Sequence, residues 1–188
     1  WYTYYPVAGK ETQYPHVYST GFVGKGVYVY CNGDGQNSYL ATRELLIDSL
    51  NRCQISFMAK GSGAGKAVIV GLVSDVSSPS QIAATFEPID TIKPGNSAYE
   101  KALVLLSGYE GGAKHVAFMA DYIANGSTTG GVYLDNISIE LIPICSKPDV
   151  FNLLSLEDTT LTFSFEHSGA LKYEVEFGPK DFVLGTGT

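Results

Sequence analysis

The chain of 188 residues is long enough for one substantial domain and a fragment of another, at the usual about 100 to 200 residues per domain. Hydrophobic residues make up 45%, charged residues 16% and aromatic residues 12%, with 13 Tyr and 9 Phe. That balance suits half-buried pleated strands and predicts an all-β protein. A net charge of -7 and a pI near 4.8 argue against nucleic acid as a partner, because phosphate-backbone binding depends on clustered Lys and Arg.

No run approaches the roughly 20 apolar residues of a transmembrane helix. The chain opens at Trp1 without a charged-then-apolar leader, so the expectation is that any segment that secretes or anchors the parent protein lies outside this stretch.

Residues 1 to 20 are rich in Tyr and interrupted by Pro6 and Pro15, which predicts an extended entry strand with turns. After Gly26 the run VYVY alternates in period two, with Val27 and Val29 on one face and Tyr28 and Tyr30 on the other. Residues 32 to 38, NGDGQNS, have turn chemistry. Arg43 to Arg52 has weak helical spacing and poor caps, and reads as loop or irregular strand. Ile55, Phe57 and Ala59 alternate. GSGAGK (61 to 66) then forms a hairpin-like turn into KAVIVGLV, a nearly continuous apolar run expected of a central strand covered on both faces. SDVSSPSQ reads as a loop, and further strands are expected at 84 to 88, 99 to 106, 114 to 123 and 132 to 142. Eight or more strands between Gly, Ser and Pro turns predict a two-sheet jelly-roll β-sandwich over residues 1 to 143.

A second unit, residues 144 to 188, follows the Pro-containing junction IPICSKPD. Leu161, Phe163 and Phe165 alternate on one expected strand, and Tyr173, Val175 and Phe177 on the next. The unit is less than half the roughly 100 residues of an immunoglobulin-like sandwich. An incomplete sheet leaves an apolar face and open edges, whose fates are disorder, pairing with another copy, or docking on the first domain.

The motifs that carry chemistry are weak. GSGAGK lacks the first Gly of a phosphate loop, since Lys60 stands there, and Ala67 replaces the magnesium-binding Ser or Thr. The stretch from Asn32 through Asp34 fails as an EF-hand at Asn37 and Arg43. His16, His115 and His167 lie far apart, and no H-E-x-x-H or G-x-S-x-G pattern occurs. Asp75, Glu87, Asp90, Glu100, Glu110 and Asp121 are scattered, and nothing in their spacing selects a glycosidase pair. Trp1 and the N-terminal tyrosines are of a type that stacks on sugar rings, although sheet packing is the commoner use of such residues. Cys31, Cys53 and Cys145 have no metal-like spacing. Three reduced thiols and one disulfide both stay open, with Cys145 a candidate partner for a cysteine upstream of Trp1.

Asp135 stands out. In VYLDNISIEL the positions Tyr133, Ile137, Ile139 and Leu141 are apolar, so an unbroken strand turns Asp135 toward the core, where a carboxylate needs a partner. If Val132 and Leu134 face inward instead, the phase slips at Asp135 and Asn136, as a β-bulge would make it. Either a hard cation such as Ca²⁺ or a hydrogen-bonded turn satisfies the group.

The blocks YLATRELLIDSLNRCQISFMAKGSGAGKAVIVGLVSD, TFEPIDTI, KHVAFMADY and VYLDNISIELIPIC, in that order, resemble the MAM-like jelly-roll domains of bacterial surface proteins related to the cleaved-adhesin group. CSKPDVFNLLSLEDTTLTFSFEHSGALKYEVEFGP resembles the first half of a fibronectin type III domain, with Phe165 where that family usually has Trp. The resemblance implies an extracellular or bacterial cell-surface multidomain protein whose jelly-roll unit mediates adhesion or carbohydrate binding, with a glycan or a host or surface protein as partner. Related carbohydrate-binding modules often hold a structural Ca²⁺ through an acid in the last strand, which carries over to Asp135 alone. The expected function is therefore a noncatalytic recognition module. The alternatives are an accessory domain of a secreted hydrolase, or a purely structural surface repeat.

Overall fold

The computed structural model describes residues 1–4, 13–32, 36–47, 50–122, 129–142, 150–157 and 160–166. The chain divides into two units, Trp1–Leu141 and Ile142–Thr188. Among the described residues of the first, eleven strands run in chain order: β1 (Tyr2–Tyr4), β2 (His16–Tyr18), β3 (Gly26–Asn32), β4 (Gln36–Asn37), β5 (Tyr39–Ala41), β6 (Cys53–Gly61), β7 (Lys66–Val73), β8 (Phe86–Ile92), β9 (Glu100–Leu105), β10 (His115–Tyr122) and β11 (Gly130–Leu141). One antiparallel sheet has the order β1-β5-β10-β7-β8 and the other β2-β3-β11-β6-β9, with β4 paired to β3.

The topology is a jelly roll. With β3 and β5 to β11 counted as first to eighth, one sheet reads first-eighth-third-sixth and the other second-seventh-fourth-fifth. Two interleaved Greek keys produce this order. It closes the first and last strands side by side, and so brings β3 beside β11 across about a hundred residues of chain.

Alternation along the strands builds the core. Cys53, Ile55, Phe57, Ala59 and Gly61 of β6 are buried and the residues between them half-buried. Phe57 meets Phe118 of the opposite sheet edge to face, with ring centroids 5.3 Å apart and planes at 84°, and Val29, Val70, Val132 and Leu134 belong to the same core cluster. Strand β7 is buried along nearly its whole length, as its apolar run predicts, because both of its faces are covered.

A short helix, α1 (Pro79–Ala84), packs on the outer face of this sheet, chiefly over β1 and β5 and reaching β7 at Val73, where a loop and then a strand from Ala84 are expected from the sequence. Ser78 takes an extended N-cap conformation and Pro79 supplies the preset first-turn φ, a start signal hidden in a Ser-rich stretch. Ile82 is buried with Ala41, Val73 and Ala117, and Tyr4, Tyr39, Val76 and Phe86 pack round this second cluster.

Two other expectations change. The N-terminal segment supplies two separate edge strands, β1 in one sheet and β2 in the other, instead of one entry strand. GSGAGK is no hairpin: β6 pairs with β11 and β9, β7 pairs with β10 and β8, and the turn carries the chain from one sheet to the other. Residues 42 to 47 are irregular, as read, and Leu50–Arg52 form one 3₁₀ turn. Cys31 and Cys53 are buried thiols, and burial pushes the Cys31 thiol up to about 11. Asp34, Cys145 and His167 lie outside the described residues.

In the second unit β12 (Val150–Glu157) pairs antiparallel with β13 (Thr160–Glu166), with an irregularity at Leu153 to Ser155. Leu153, Leu154 and Leu156 are exposed. The strand expected around Tyr173 to Phe177 lies outside the described residues. Among the described residues, no helix is long and apolar enough to cross a membrane.

Candidate functional site

Strand pairing in the β2-β3-β11-β6-β9 sheet places His16 opposite Tyr28, Tyr28 opposite Tyr133 and Tyr133 opposite Lys60. The flanking Val29, Val132 and Ala59 are fully buried, so period two turns this row away from the core. The result is an aromatic platform on the outer face of the sheet.

The rings touch one another. Centroids of Tyr28 and Tyr133 are 4.8 Å apart, those of Tyr18 and Tyr133 4.7 Å, and those of His16 and Tyr28 5.5 Å. Offset and edge contacts of this kind each add about 0.5 to 1.5 kcal/mol and fix the ring planes. His16 Nδ1–H donates to the Tyr14 carbonyl (2.9 Å), which orients the imidazole. At the other end of the row Lys60 Nζ lies 5.6 Å from the Tyr99 centroid and 5.8 Å from that of Tyr133.

Gly131 makes room for this arrangement. A Cβ there would collide with the Val29 carbonyl oxygen and stand 3.0 Å from Tyr28 Cζ. A residue with a side chain at 131 would therefore push β11 off the β3 backbone beneath the Tyr28 ring.

Burial raises the phenol pKa of Tyr28 and Tyr99, with the Asp135 charge adding to the rise at Tyr99. Tyr133 goes from 10.0 to about 12, through burial first and then the hydrogen bond with Tyr18. All three hydroxyls are thus neutral donors and acceptors over a wide pH range. Between pH 10 and pH 12 the folded state keeps a Tyr133 proton that the unfolded chain has lost, so stability falls as pH rises through that window. Tyr133→Phe is expected to flatten this part of the alkaline unfolding curve, as measured by urea midpoints at stepped pH.

Asp135 borders the platform, and of the two strand phases open from the sequence the structure has the bulged one. Val132 and Leu134 are fully buried, and the β6 register shifts between Asp135 and Ser138. Asn136 absorbs the extra residue at φ 48°, a left-handed conformation Asn tolerates better than most residues. The re-aimed carboxylate accepts the Val23 N–H through Oδ2 (2.8 Å) and the Asn136 N–H through Oδ1 (2.7 Å). It thereby pins the turn closed by Gly21 N–H to the Gly24 carbonyl (2.8 Å), which sets Phe22 edge-on to Tyr99 at 5.9 Å.

The other candidates do not converge on this face. Trp1 lines a separate cleft of about 480 Å³ with Leu45, Ile137 and Ile139. Tyr2 packs on His115 and Tyr4 on Tyr39. His115 is buried and its Nδ1–H donates to the Thr42 carbonyl (3.0 Å), far in role from any catalytic pair. Asp75, Asp90 and Glu100 accept backbone N–H groups of Ser77, Thr91 and Gly95 respectively. Among the described residues no group of three or more His, Cys, Asp and Glu side chains gathers where it could hold a metal. Of the N-terminal tyrosines only Tyr18 joins the platform; Tyr28, Tyr99, Tyr133, Phe22 and Lys60 were not singled out by sequence. The alternation of VYVY, which puts Tyr28 on the face opposite Val27 and Val29, is the one signal for them.

No protein-family model matches the sequence, and no curated protein matches it. Several solved structures are similar. A cleaved adhesin domain of Lys-gingipain from Porphyromonas gingivalis has 16% identity and a TM-score of 0.47, over 75% of this chain and 91% of that one. A family 11 carbohydrate-binding module of a cellulosomal cellulase from Clostridium thermocellum has 16% identity and a TM-score of 0.44, over 76% of this chain and 88% of that one. The glycoside hydrolase domain of Endo-D from Streptococcus pneumoniae has 12% identity and a TM-score of 0.47, over 81% of this chain but only 25% of that one.

Proposed function

We propose that the first unit is a noncatalytic, extracellular carbohydrate-recognition module and that its binding surface is the platform of Tyr18, Tyr28, Tyr133 and Tyr99. The observation that carries this reading is the row of rings in mutual tilted and edge contact on the outer face of the sheet. Aromatic faces match the C–H faces of pyranose rings, and neutral phenol hydroxyls at their rims supply donors and acceptors for sugar hydroxyls. The rings are locked by cross-strand packing, so little side-chain entropy is lost on binding. A glycan array tests the reading directly. Specific binding that is lost in Tyr133→Ala supports it, and a clean negative from folded protein would shift the role to adhesion through a protein partner.

The second unit fits the same reading as a fibronectin type III-like connector, its exposed Leu153, Leu154 and Leu156 being a surface through which copies could associate.

A structural Ca²⁺ at Asp135 belongs to the proposal as well. Such an ion takes six to eight oxygens. Asp135 offers one carboxylate already hydrogen-bonded to two amides, so the remaining ligands would be main-chain carbonyls and water. If an ion sits there, chelator lowers the melting temperature of the wild type, and Asp135→Ala no longer responds to it. If Asp135 acts only as the hydrogen-bonded anchor of the turn, the wild type melts identically with and without chelator and Asp135→Ala is less stable in both.

A further inference from the structure

The platform carries cations, against the sign of the chain. The Lys60 ammonium lies within cation–π range of both Tyr99 and Tyr133, and these rings hold it in the row instead of letting it swing freely into solvent. Lys101 stands beside it on the same face, through the register Asp135–Met58–Lys101. His16 ends the row on the other side.

The carboxylates of this face are oriented by hydrogen bonds from neutral amides and are not paired with either lysine. Both oxygens of Asp135 accept backbone amides, and Glu140 accepts the Gln54 side-chain amide at 2.9 Å. Among the described residues neither Lys60 nor Lys101 is engaged in a salt bridge. On a chain of net charge -7 the aromatic surface thus offers two ammonium groups, Lys60 and Lys101, that are not paired directly with a carboxylate among the described residues.

We infer that the platform selects an anionic saccharide, a sugar ring lying on Tyr133 whose carboxylate or sulfate group meets Lys60. This rests on the carbohydrate-recognition reading above and narrows it to a charged class. Stacking is indifferent to the ring's substituents. The ammonium is not, because a charge-assisted hydrogen bond in a partly desolvated site is about twice as strong as a neutral one.

Isothermal titration of the full chain with three polymers tests the inference: a neutral galactan, polygalacturonate for the carboxylate, and a carrageenan for the sulfate. At least one anionic polymer is expected to bind at least about tenfold more tightly than the neutral one, a ratio that corresponds to about 1.4 kcal/mol. That preference is expected to shrink as NaCl rises from about 0.05 M to about 0.5 M. Lys60→Met, which keeps the aliphatic stem on the rings, is expected to collapse the preference, and Lys60→Arg to restore it. Comparison of the two anionic arms identifies which charged group is read. Equal affinity for neutral and anionic polymers, or a preference that survives in a cooperatively melting Lys60→Met protein, overturns the inference and leaves carbohydrate recognition standing. Failure to bind any of the three, together with a blank glycan array, overturns both.

Discussion

Tyr133→Ala is expected to weaken saccharide binding by about thirtyfold or more, the equivalent of the roughly 2 kcal/mol typical of a central binding hot spot. Tyr133 is the ring on which the platform converges: Tyr18 and Tyr28 both lie within 5 Å of its centroid, and the Lys60 ammonium sits over it. Its loss therefore removes a stacking surface and frees three neighbours at once. The fold should survive, since Tyr133 is only half-buried and points away from the core. The cost in stability is expected at about 1 to 2 kcal/mol, from the lost cross-strand ring contacts. Titration calorimetry against a saccharide identified on the array, with a urea melt of the same sample, separates the two effects. A fall in affinity that merely tracks unfolding would refute the role given to this ring.

The largest effect on stability is expected from Phe118→Ala. Phe118 is fully buried at the centre of the sandwich, edge-on to Phe57 from the opposite sheet and 6.5 Å from the Trp1 ring. Truncation of a buried Phe costs about 3 to 5 kcal/mol, through lost transfer energy and the cavity left behind. Against a total of about 5 to 15 kcal/mol, that is enough to bring the first unit close to unfolding. The urea midpoint should drop accordingly, and fluorescence of the single Trp reports the same layer. Leu103→Ala, at an exposed position on β9, is the contrast: its change should stay within about 0.5 kcal/mol.

Much of the fold was legible because it rests on local periodicity. The VYVY run and the alternation of Ile55, Phe57 and Ala59 mark half-buried strands, the apolar KAVIVGLV stretch marks one covered on both faces, and β3, β6 and β7 have those burial patterns. At Asp135 the residue pattern correctly narrowed the choice to a buried carboxylate or a bulge. Helix α1 is not legible because six residues hold too few turns to show a period, and its stability comes from Ile82 docking against the distant Ala41 and Ala117. The turn at GSGAGK looks the same from sequence whether it joins paired strands or crosses between sheets.

The platform was hidden for a different reason. Tyr28 and Tyr133 are neighbours only because the jelly roll closes β3 against β11, and Lys60 joins them only through the β11–β6 register. Such long-range pairings leave no mark on sequence spacing. The abundance of Tyr was visible, but its use was split: Tyr4 and Tyr39 pack under α1, whereas Tyr18, Tyr28 and Tyr133 make the exposed surface.

The most direct test of the central claim is an NMR titration of the ring-labelled tyrosines with a saccharide that binds. Shifts concentrated on Tyr18, Tyr28, Tyr99 and Tyr133, with Tyr2, Tyr4 and Tyr39 unmoved, are the predicted result and would place the ligand on the outer face of the β2-β3-β11-β6-β9 sheet. Shifts confined to Tyr2, or to the Trp1 indole beside the cleft at Leu45 and Ile139, would contradict the account and move the binding site off the platform.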